Sequence, residues 1–279
     1  MENSKIFLGC TSNIISSGLR DTVAHLARNK LVDVMVISGG GVEEDIIKTL
    51  FPHKVASFEL KGRVLRENGL NRVGNLVIPN ESYFQFEQWL TRALDAILEG
   101  YTESSPRVLT PSAFIHILGT MIECEESVLH WASRNRIPVY SPAVTDGSIG
   151  DILTFYPRRS SLKLDIVEDT YNMNHEAMFE EKTSAIILGG GLVKHHILNA
   201  NLFKNGLDYC VIVNTSSDFD GSDAGANIEE AVSWGKIKIK NSAVKIFGDA
   251  TLVFPLLVAG SFLSGSTRSI NAAERNGEH

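Results

Sequence analysis

Short apolar runs recur along the chain, and each is followed by glycine or a polar capping residue and then by an amphipathic stretch. One run at 6–8 precedes a helical pattern at 16–27, and another at 185–188 precedes three glycines and a helical pattern at 193–203. This alternation is typical of parallel βα units. The sequence therefore predicts an α/β, Rossmann-like fold in which helices flank a mostly parallel central sheet.

The remaining pattern predicts further elements and one domain. Strands are predicted at 32–37, 137–140, 209–213 and 244–247, and helices at 43–50, 84–98, 111–121, 126–135, 151–156, 165–180 and 250–262. Segment 51–79 has weak periodicity and many basic residues, so at most one short strand is predicted there. No composition shift marks a second domain, so residues 1–263 are predicted to form one α/β domain. Apolar residues nearly vanish in 264–279, which predicts a disordered tail.

Charge and cysteine content narrow the class of protein. With a formal charge of −7 and no basic stripe, the chain is not expected to bind nucleic acid. Cys10, Cys124 and Cys210 lie in or near apolar runs, which predicts reduced thiols and neither a disulfide framework nor a metal site. The sequence enters its first apolar run without a leader-like pattern, and no apolar run has the length of a membrane span. These features predict a soluble cytoplasmic protein without a membrane partner.

The stretch 215–236 combines several carboxylates with a lysine and a tryptophan. The acids are Asp218, Asp220, Asp223, Glu229 and Glu230. Carboxylates pair with ammonium groups, and an indole ring attracts a cation once water is displaced. Lys236, beside Trp234, becomes a nucleophile when its neutral form is accessible, which desolvation and a second bound cation both favour. The stretch therefore predicts a site that holds a cationic ligand next to an amine nucleophile.

Two other interpretations of this stretch are structural. Glycine and aspartate at this density are typical of a solvated turn. Asp218, Asp220 and Glu229 also have the spacing of positions 1, 3 and 12 of a calcium-binding loop. That loop needs glycine at its sixth position, where this chain has Asp223, so the calcium interpretation fails.

Two glycine-rich turns, at 39–41 and 189–191, each stand between a predicted strand and a predicted helix. Such turns hold phosphates because glycine allows close approach and the helix start offers free N–H groups. Neither matches the dinucleotide pattern G-x-G-x-x-G, since Glu44 stands where the first would need its third glycine. Tight turns alone would explain either one. Together, at strand ends where open parallel sheets bind ligands, they favour a nucleotide site.

His195 and His196 follow the second glycine turn, at the start of a predicted helix. Adjacent histidines point in different directions on a helix, so they make a poor metal pair. One of the two rings can face the ligand edge of the sheet, and a purely structural role is the alternative.

Several motifs resemble those of one enzyme family, the deoxyhypusine synthases. The run Phe-Asp-Gly-Ser-Asp at 219–223, continued by Glu-Glu-Ala-Val-Ser-Trp-Gly-Lys-Ile at 229–237, resembles the active-site signature of that family. The resemblance extends through Thr-Ser-Asn at 11–13, Gly-Gly-Val-Glu-Glu-Asp at 40–45, Arg-Glu-Asn-Gly at 66–69, Ser-Pro-Ala at 141–143, Thr-Asp-Gly-Ser at 145–148, Gly-Gly-Gly at 189–191, Lys-His-His at 194–196 and Phe-Pro-Leu-Leu at 254–257.

The resemblance implies a reaction and its residues. NAD would take hydride from spermidine, Lys236 would capture the resulting imine, and the aminobutyl group would pass to a lysine of the initiation factor 5A precursor. His195 would accept a proton. The substrate positions implied are Glu43, Glu44, Asp151, Gly190, His195, Asn199, Gly221, Ser222, Asp223, Glu230 and Trp234. The cofactor positions implied are Ser12, Asn13, Ser16, Ser38, Gly39, Gly40, Glu44, Asp146, Thr215, Ser216, Asp220, Asp249 and Ala250. Without the family, Asp151 is at least as well explained as a helix N-cap.

The resemblance also implies partners and an assembly. The acidic net charge suits a basic protein partner. A homotetramer built from dimers is expected, with active sites at subunit interfaces, or a heteromer with a paralogous subunit. The family's N-terminal extension, which covers a neighbour's active-site entrance, has no counterpart ahead of the first predicted strand. Two alternatives stay open: a homospermidine synthase, which passes the aminobutyl group to putrescine, and a regulatory subunit that needs a partner chain.

Overall fold

The computed structural model describes residues 4–263. The strands are β1 (Lys5–Cys10), β2 (Val34–Ile37), β3 (Lys54–Val55), β4 (Leu70–Val73), β5 (Leu76–Pro79), β6 (Arg107–Leu109), β7 (Val139–Tyr140), β8 (Leu162–Leu164), β9 (Thr183–Leu188), β10 (Leu207–Asn214) and β11 (Ile237–Phe247). The helices are α1 (Ser12–Ser16), α2 (Leu19–Arg28), α3 (Gly39–Leu50), α4 (Gly62–Glu67), α5 (Asn80–Ile97), α6 (Pro111–Thr120), α7 (Val128–Arg134), α8 (Ser148–Phe155), α9 (Ile166–Met178), α10 (Gly191–Leu202), α11 (Ile228–Ser233) and α12 (Ala250–Val258).

Within residues 4–263 the main sheet has six strands in the order β11-β10-β9-β1-β2-β7. Every neighbouring pair in this sheet is parallel. The central strand β1 pairs with β2 on one side and with β9 on the other, so the winding direction reverses between β1 and β9. This arrangement confirms the predicted α/β, Rossmann-like fold with a parallel sheet flanked by helices.

Alternate side chains of β1 point to opposite faces of the sheet and define two cores. Ile6 and Leu8 pack into a core that also takes side chains from α2, α3, α5, α7, α8 and α12. Phe7 packs on the other face, with side chains from α9, α10 and α11. Helices on both faces explain why the central strands are apolar on both sides. Because α3 and α8 pack on the first face and α10 and α11 on the second, the sheet lies between these two pairs of helices.

One buried ion pair joins three helices of the first face. Asp45 in α3 accepts a 2.6 Å hydrogen bond from Arg20 Nε in α2, and both side chains are almost fully buried. The same carboxylate accepts hydrogen bonds from the Ser127 hydroxyl at 2.6 Å and from the Val128 and Leu129 amides at 3.1 and 2.9 Å. Because those amides are the free N–H groups at the start of α7, Asp45 satisfies that helix end from another helix.

The prediction of almost no regular structure at 51–79 is wrong. This segment contains α4 and an antiparallel sheet in the order β3-β5-β4. β4 and β5 form a hairpin across Gly74 and Asn75, and Gly74 has a φ of +60°. A Gly-Asn pair between strand-forming residues is a recognised hairpin signal, and the basic residues around it masked the alternation.

Other differences concern where elements begin. α8 starts at Ser148 after Gly147, so Asp151 lies within its first turn and the N-cap interpretation of Asp151 is wrong. α3 starts at Gly39 and takes in the glycine turn as its first turn. β11 starts at Ile237, seven residues before the predicted strand, because Ile237 pairs with Leu207 and, after a register shift, residues 242–247 pair with residues 209–214 of β10. The predicted disordered tail at 264–279 lies outside the described residues.

Candidate active site

The carboxyl ends of β1, β2 and β9 meet at one edge of the sheet, where the winding direction reverses. Ligands of open parallel sheets bind in the crevice at such a point. Ser12 and Asn13 follow β1, and Ser38 follows β2. Ser16 is one turn beyond Ser12, and its hydroxyl donates to the Ser12 carbonyl at 3.2 Å. The fold thus brings these predicted cofactor residues to one edge.

The glycine turn after β2 is shaped mainly by packing within the chain. A Cβ on Gly39 would lie 2.6 Å from the Ala143 carbonyl oxygen and 3.1 Å from that of Asp146. A Cβ on Gly40 would lie 3.1 Å from the Cβ of Ser12. Gly39 therefore lets the loop that carries Asp146 approach Ser38, and Gly40 lets α1 approach α3.

The glycine turn after β9 connects the sheet edge to the loop between β10 and α11, residues 215–227, which is called the acidic loop below. Gly189 has a φ of +98° and leaves no room for a Cβ beside Thr11, which would be 2.6 Å away. Gly190 lies directly against Ala224. The Asn214 side chain donates to the Gly189 and Ala224 carbonyls at 3.1 and 3.0 Å. Gly190 is thus needed for contact between the turn and the loop.

Two lysines, the buried Lys194 and the half-buried Lys245, hold the acidic loop in place. Lys194 Nζ donates to the carbonyls of Asp223 and, at 3.1 Å, Ala226. Lys245 Nζ donates to the carbonyls of Gly225 and, at 3.2 Å, Ser216, and it lies 2.5 Å from Asp218 Oδ1. Burial lowers the pKa of Lys194, against the raising effect of Asp223. Reasoning from sequence missed both lysines, because nothing distinguishes a loop-anchoring lysine from a surface one before the fold is known.

Replacing Lys194 by methionine is expected to loosen this loop. Methionine matches the length and removes the N–H donors, so the carbonyls of Asp223 and Ala226 lose their shared partner. We expect the Gly225 and Ala226 amides to exchange with solvent at least about 10-fold faster in hydrogen-exchange mass spectrometry. The exposed Lys182→Met change is the matched control and should leave exchange unaltered. Equal exchange in Lys194→Met and the wild type would mean that the lysine does not hold the loop.

A pocket of about 210 Å³ lies between α10, the acidic loop and α11. Its lining residues are Lys194, His195, Leu198, Asp223, Ala226, Glu230, Ala231, Trp234 and Lys236. Lys236 Nζ lies 5.7 Å from the centroid of the Trp234 ring. His195 Nδ1 lies 3.9 Å from Asp223 Oδ1. The structure therefore brings the predicted nucleophile, the predicted proton acceptor, two carboxylates and the indole ring into one pocket.

The backbone of Lys236 lies at the opposite edge of the sheet from the glycine turns. Its carbonyl accepts from the Leu207 amide at 3.0 Å, at the start of β10. The far end of β10 is level with the glycine turn, since Gly189 N donates to Val213 O at 2.9 Å. Six residues separate Leu207 from Val213, which is about 20 Å at 3.3 Å per residue. The backbone of Lys236 therefore lies about the length of β10 away from the crevice at the ends of β1 and β9, and its side chain extends into the pocket that also contains His195 and Asp223.

Glu43, Glu44 and Asp151 form a second acidic group, on α3 and α8. Glu43 is buried, and its Oε2 accepts from the Ile149 amide at 2.9 Å. Burial, with a smaller contribution from the charge of Glu44, raises the pKa of Glu43 to about 7. Burial also raises the pKa of Glu44. These three residues are not among those that line the Lys236 pocket, because α3 and α8 pack on the other face of the sheet.

The other predicted residues have local roles that the structure defines. Asp249 caps α12, accepting from the Thr251 amide at 2.8 Å and its hydroxyl at 2.6 Å, and these bonds lower the pKa of Asp249. Ala250 is the buried first residue of that helix. Hydrogen bonds from the side chain of Ser222 and from its amide, the latter at 2.7 Å, lower the pKa of Asp220.

The remaining predictions concern the ends of the loop and α10. Thr215 and Ser216 follow β10, and Ser216 N donates to the Asn214 side chain at 3.1 Å. Gly221 is exposed, with a φ of +71°. Asn199 is half-buried one turn beyond His195 and is not among the residues lining the pocket.

Among residues 4–263, no group of three or more histidine, cysteine or carboxylate side chains could hold a metal ion. None of the described helices combines the length and apolar character that a membrane crossing requires.

The reversal of winding at β1 and β9, the glycine turns beside it and the lysine-containing pocket define an α/β enzyme of the Rossmann-like class. A family model for deoxyhypusine synthase matches residues 1–261. The chain belongs to the deoxyhypusine synthase family, and its activity is that of this family of NAD-dependent transferases.

The similarity to individual relatives covers most of the chain. It is 63% identical over 263 residues to the deoxyhypusine synthase of Encephalitozoon cuniculi (strain GB-M1), covering 94% of this chain and 79% of that protein. It is 48% identical over 283 residues to the deoxyhypusine synthase of Saccharomyces cerevisiae, covering 95% and 73%. The crystal structure of an Entamoeba histolytica protein described as a candidate deoxyhypusine synthase superposes with a TM-score of 0.71 at 32% identity, covering 93% of this chain and 76% of that one.

Proposed function

We propose that Lys236 is the nucleophile that carries the aminobutyl group of spermidine to a lysine of the initiation factor 5A precursor. The observation that carries this proposal is the pocket in which Lys236, His195, Asp223, Glu230 and Trp234 meet. The carboxylates of Asp223 and Glu230 suit the ammonium groups of a polyamine, and the Trp234 ring suits its methylene chain. Bound NAD would supply the hydride chemistry: it would take a hydride from the substrate and return it later.

Each residue of the pocket has a defined task in this proposal. His195 accepts the proton that the substrate amine releases as the C–N double bond forms, and the Asp223 carboxylate, 3.9 Å away, stabilises the resulting imidazolium. The Lys236 amine attacks the imine carbon and displaces the diamine, which leaves an imine between Lys236 and the four-carbon unit. The acceptor amine then displaces Lys236 in the same way, and hydride return reduces the product imine.

The residues at the sheet edge fit a dinucleotide. Ser38 Oγ is buried and, within the described residues, makes no hydrogen bond. The amides of Gly39 and Gly40, at the start of α3, have no acceptor within the helix and lie at its positive end. We propose that Ser12, Asn13 and Asp146 hold the cofactor with these groups, and that Glu43, Glu44 and Asp151 face the substrate there.

We infer that one complete active site needs two copies of the chain. The support is the placement of two groups of residues: the backbone of Lys236 lies about 20 Å along β10 from the glycine turn, and the acids of α3 and α8 lie across the sheet from α10 and α11. Trp234, which lines the pocket, is 66% exposed, and Phe219 in the loop that carries Asp223 is 99% exposed, so both can contact a second protein surface. A homodimer is the smallest assembly that meets this requirement. Sedimentation would distinguish it from a tetramer built from such dimers and from a heteromer with a paralogous subunit.

Mixing two inactive variants tests the two-copy site. Lys236→Ala and Asp151→Asn are each expected to be nearly inactive as homo-oligomers. If Lys236 of one copy works with Asp151 of another, random mixing restores one site in each mixed dimer. About a quarter of wild-type activity should then return, because half of the dimers are mixed and half of their sites are intact. The control mixture of Lys236→Ala with Asp223→Asn, whose lesions lie in one pocket, should stay inactive. No recovery in the first mixture would place the whole site within one chain.

The identity of the acceptor is tested directly by following the aminobutyl group. Pure protein, NAD and labelled spermidine are incubated with either the initiation factor 5A precursor or putrescine. We expect label in the precursor protein. Label in free homospermidine would instead indicate transfer to putrescine, and label in neither would indicate that a partner chain is required.

A further inference from the structure

His53 lies three residues after α3, and its side chain turns back into the protein against Glu44. The His53 side chain is 2% exposed and that of Glu44 is 8% exposed. The closest atoms are His53 Nε2 and Glu44 Oε2, which are 3.3 Å apart. Within residues 4–263 neither atom makes a hydrogen bond of good geometry, and His53 Nδ1 has none either. Burying an imidazole in this way is costly, so an apolar side chain of similar size would serve packing better.

The groups around this pair determine its charge state. Lys48 of α3 donates to the carbonyls of Ile15, Ser16 and Ser17 at 3.1, 3.1 and 2.9 Å, so its ammonium is fixed nearby. Burial, the charge of Lys48 and the charge of Arg20 in α2 lower the pKa of His53 to about 4, against a raising contribution from the Ser16 backbone. The ring is therefore neutral at neutral pH and has a single N–H to donate.

On the other side of Glu44, the carboxylate meets two hydroxyl groups. Tyr83 of α5 donates to Glu44 Oε1 at 3.4 Å. Burial raises the pKa of Glu44, and the side chains of Ser16 and Tyr83 and the charge of Lys48 oppose that rise. The hydroxyls of Ser16 and Tyr83 thus favour the ionised form of Glu44, and His53 is the group placed to add a donor at Oε2.

We propose that His53 is a positioning residue for the reaction: its neutral ring donates Nε2–H to Oε2 of Glu44 and orients that carboxylate toward the ligand. A small rotation of the carboxylate when the ligand binds would convert the 3.3 Å contact into an aligned hydrogen bond. The inference rests on the proposed function, in which Glu44 faces spermidine and the cofactor. It adds a residue outside the motifs that carry the family resemblance.

Two substitutions separate donation from filling of space. In His53→Gln the side-chain amide nitrogen can take the place of Nε2 and still donate. In His53→Leu the volume is similar and the donor is lost. A donor to a carboxylate favours the charged form, so its loss raises the pKa of Glu44 further. A cationic substrate needs the carboxylate, so the KM for spermidine in His53→Leu should rise about 10-fold or more at neutral pH and rise further as the pH falls.

The experiment measures KM and kcat for spermidine and the Kd for NAD between pH 6.5 and 9 in the wild type, His53→Gln, His53→Leu and Glu44→Gln. Glu43 is present in all four proteins, and only His53→Leu removes the donor to Glu44, so a difference between His53→Leu and His53→Gln reports the lost donor. Support would be a KM profile displaced to higher pH in His53→Leu and restored in His53→Gln, with kcat little changed. An unchanged profile in His53→Leu, or equal damage in both His53 variants, would overturn the proposal.

Further controls separate this proposal from the proposed function. If Glu44→Gln weakens binding and His53→Leu does not, only the role of His53 is lost. If Glu44→Gln itself changes neither KM nor Kd, Glu44 is not a ligand residue, and the proposed function fails there together with this inference. Should His53→Leu fail to fold, His53→Met serves instead. Nitrogen NMR of the wild type must also show a neutral ring with the proton on Nε2, and the other tautomer would overturn the proposal.

Discussion

Lys236→Ala should abolish the enzyme adduct that borohydride traps when the protein is incubated with NAD and spermidine. The substitution removes the amine that bonds to the four-carbon unit, so turnover should fall by at least about 10³-fold. NAD binding should be retained, because Lys236 lies at the opposite sheet edge from the proposed cofactor residues of the same chain. Adduct formation is measured by mass spectrometry of the reduced protein, and NAD binding by titration calorimetry.

Lys240→Ala is the matched control for this experiment. Lys240 is exposed in β11, four residues after Lys236 in the chain, so its removal should leave both adduct and turnover unchanged. An adduct that persists in Lys236→Ala would assign the nucleophile to a different amine. Lys194, which lines the same pocket, would then be examined next.

Asp45→Asn is expected to cost the largest amount of stability. The change keeps the shape of the side chain but removes the charge that compensates the buried Arg20 guanidinium, and an amide nitrogen cannot accept the bonds from Ser127 and the start of α7. Breaking a buried ion pair by removing one partner costs about 3–5 kcal/mol. Urea unfolding at one fixed protomer concentration measures the loss, since assembly also contributes to stability.

Glu67→Gln makes the same chemical change in an exposed pair. Arg63 Nε lies 2.9 Å from Glu67 Oε1, but the two side chains are 89% and 59% exposed, so the loss should stay below about 0.5 kcal/mol. A loss of less than about 1 kcal/mol for Asp45→Asn would mean that Glu126, whose Oε2 lies 3.9 Å from Arg20 Nη1, or water compensates the arginine.

The sequence predicted the residues of the Lys236 pocket better than it predicted where that pocket lies relative to the acids of α3 and α8. His195, Asp223, Glu230, Trp234 and Lys236 were predicted to act together, and they line one pocket. Glu43 and Asp151 were predicted to line the same pocket, and in one chain they lie across the sheet. A motif carries the chemistry of a residue but does not say which copy of the chain supplies it.

Errors in the secondary structure arose where a local pattern competes with tertiary context. The alternation of isoleucine and lysine from Ile237 onward was not recognised as the start of a strand, although Ile237 pairs with β10 and the pairing resumes at Ser242 after a register shift. The hairpin of β4 and β5 was missed because basic residues surround its Gly-Asn turn. In both cases pairing with a neighbouring strand determines the structure. The partner of β11 is β10, which is distant in the chain, and in the β4–β5 hairpin the surrounding basic residues hid the strand pattern.

The sequence by itself determined the parallel α/β fold, because apolar runs alternating with amphipathic stretches can bury their side chains only as strands covered by helices. It also determined the family, through motifs whose residue types the chemistry requires. Tertiary structure alone decided that Lys194 and Lys245 hold the acidic loop, that His53 lies against Glu44, and that Lys236 and the cofactor edge stand at opposite ends of a strand. Those facts depend on contacts between residues far apart in the chain, and no local pattern of side chains encodes such distances.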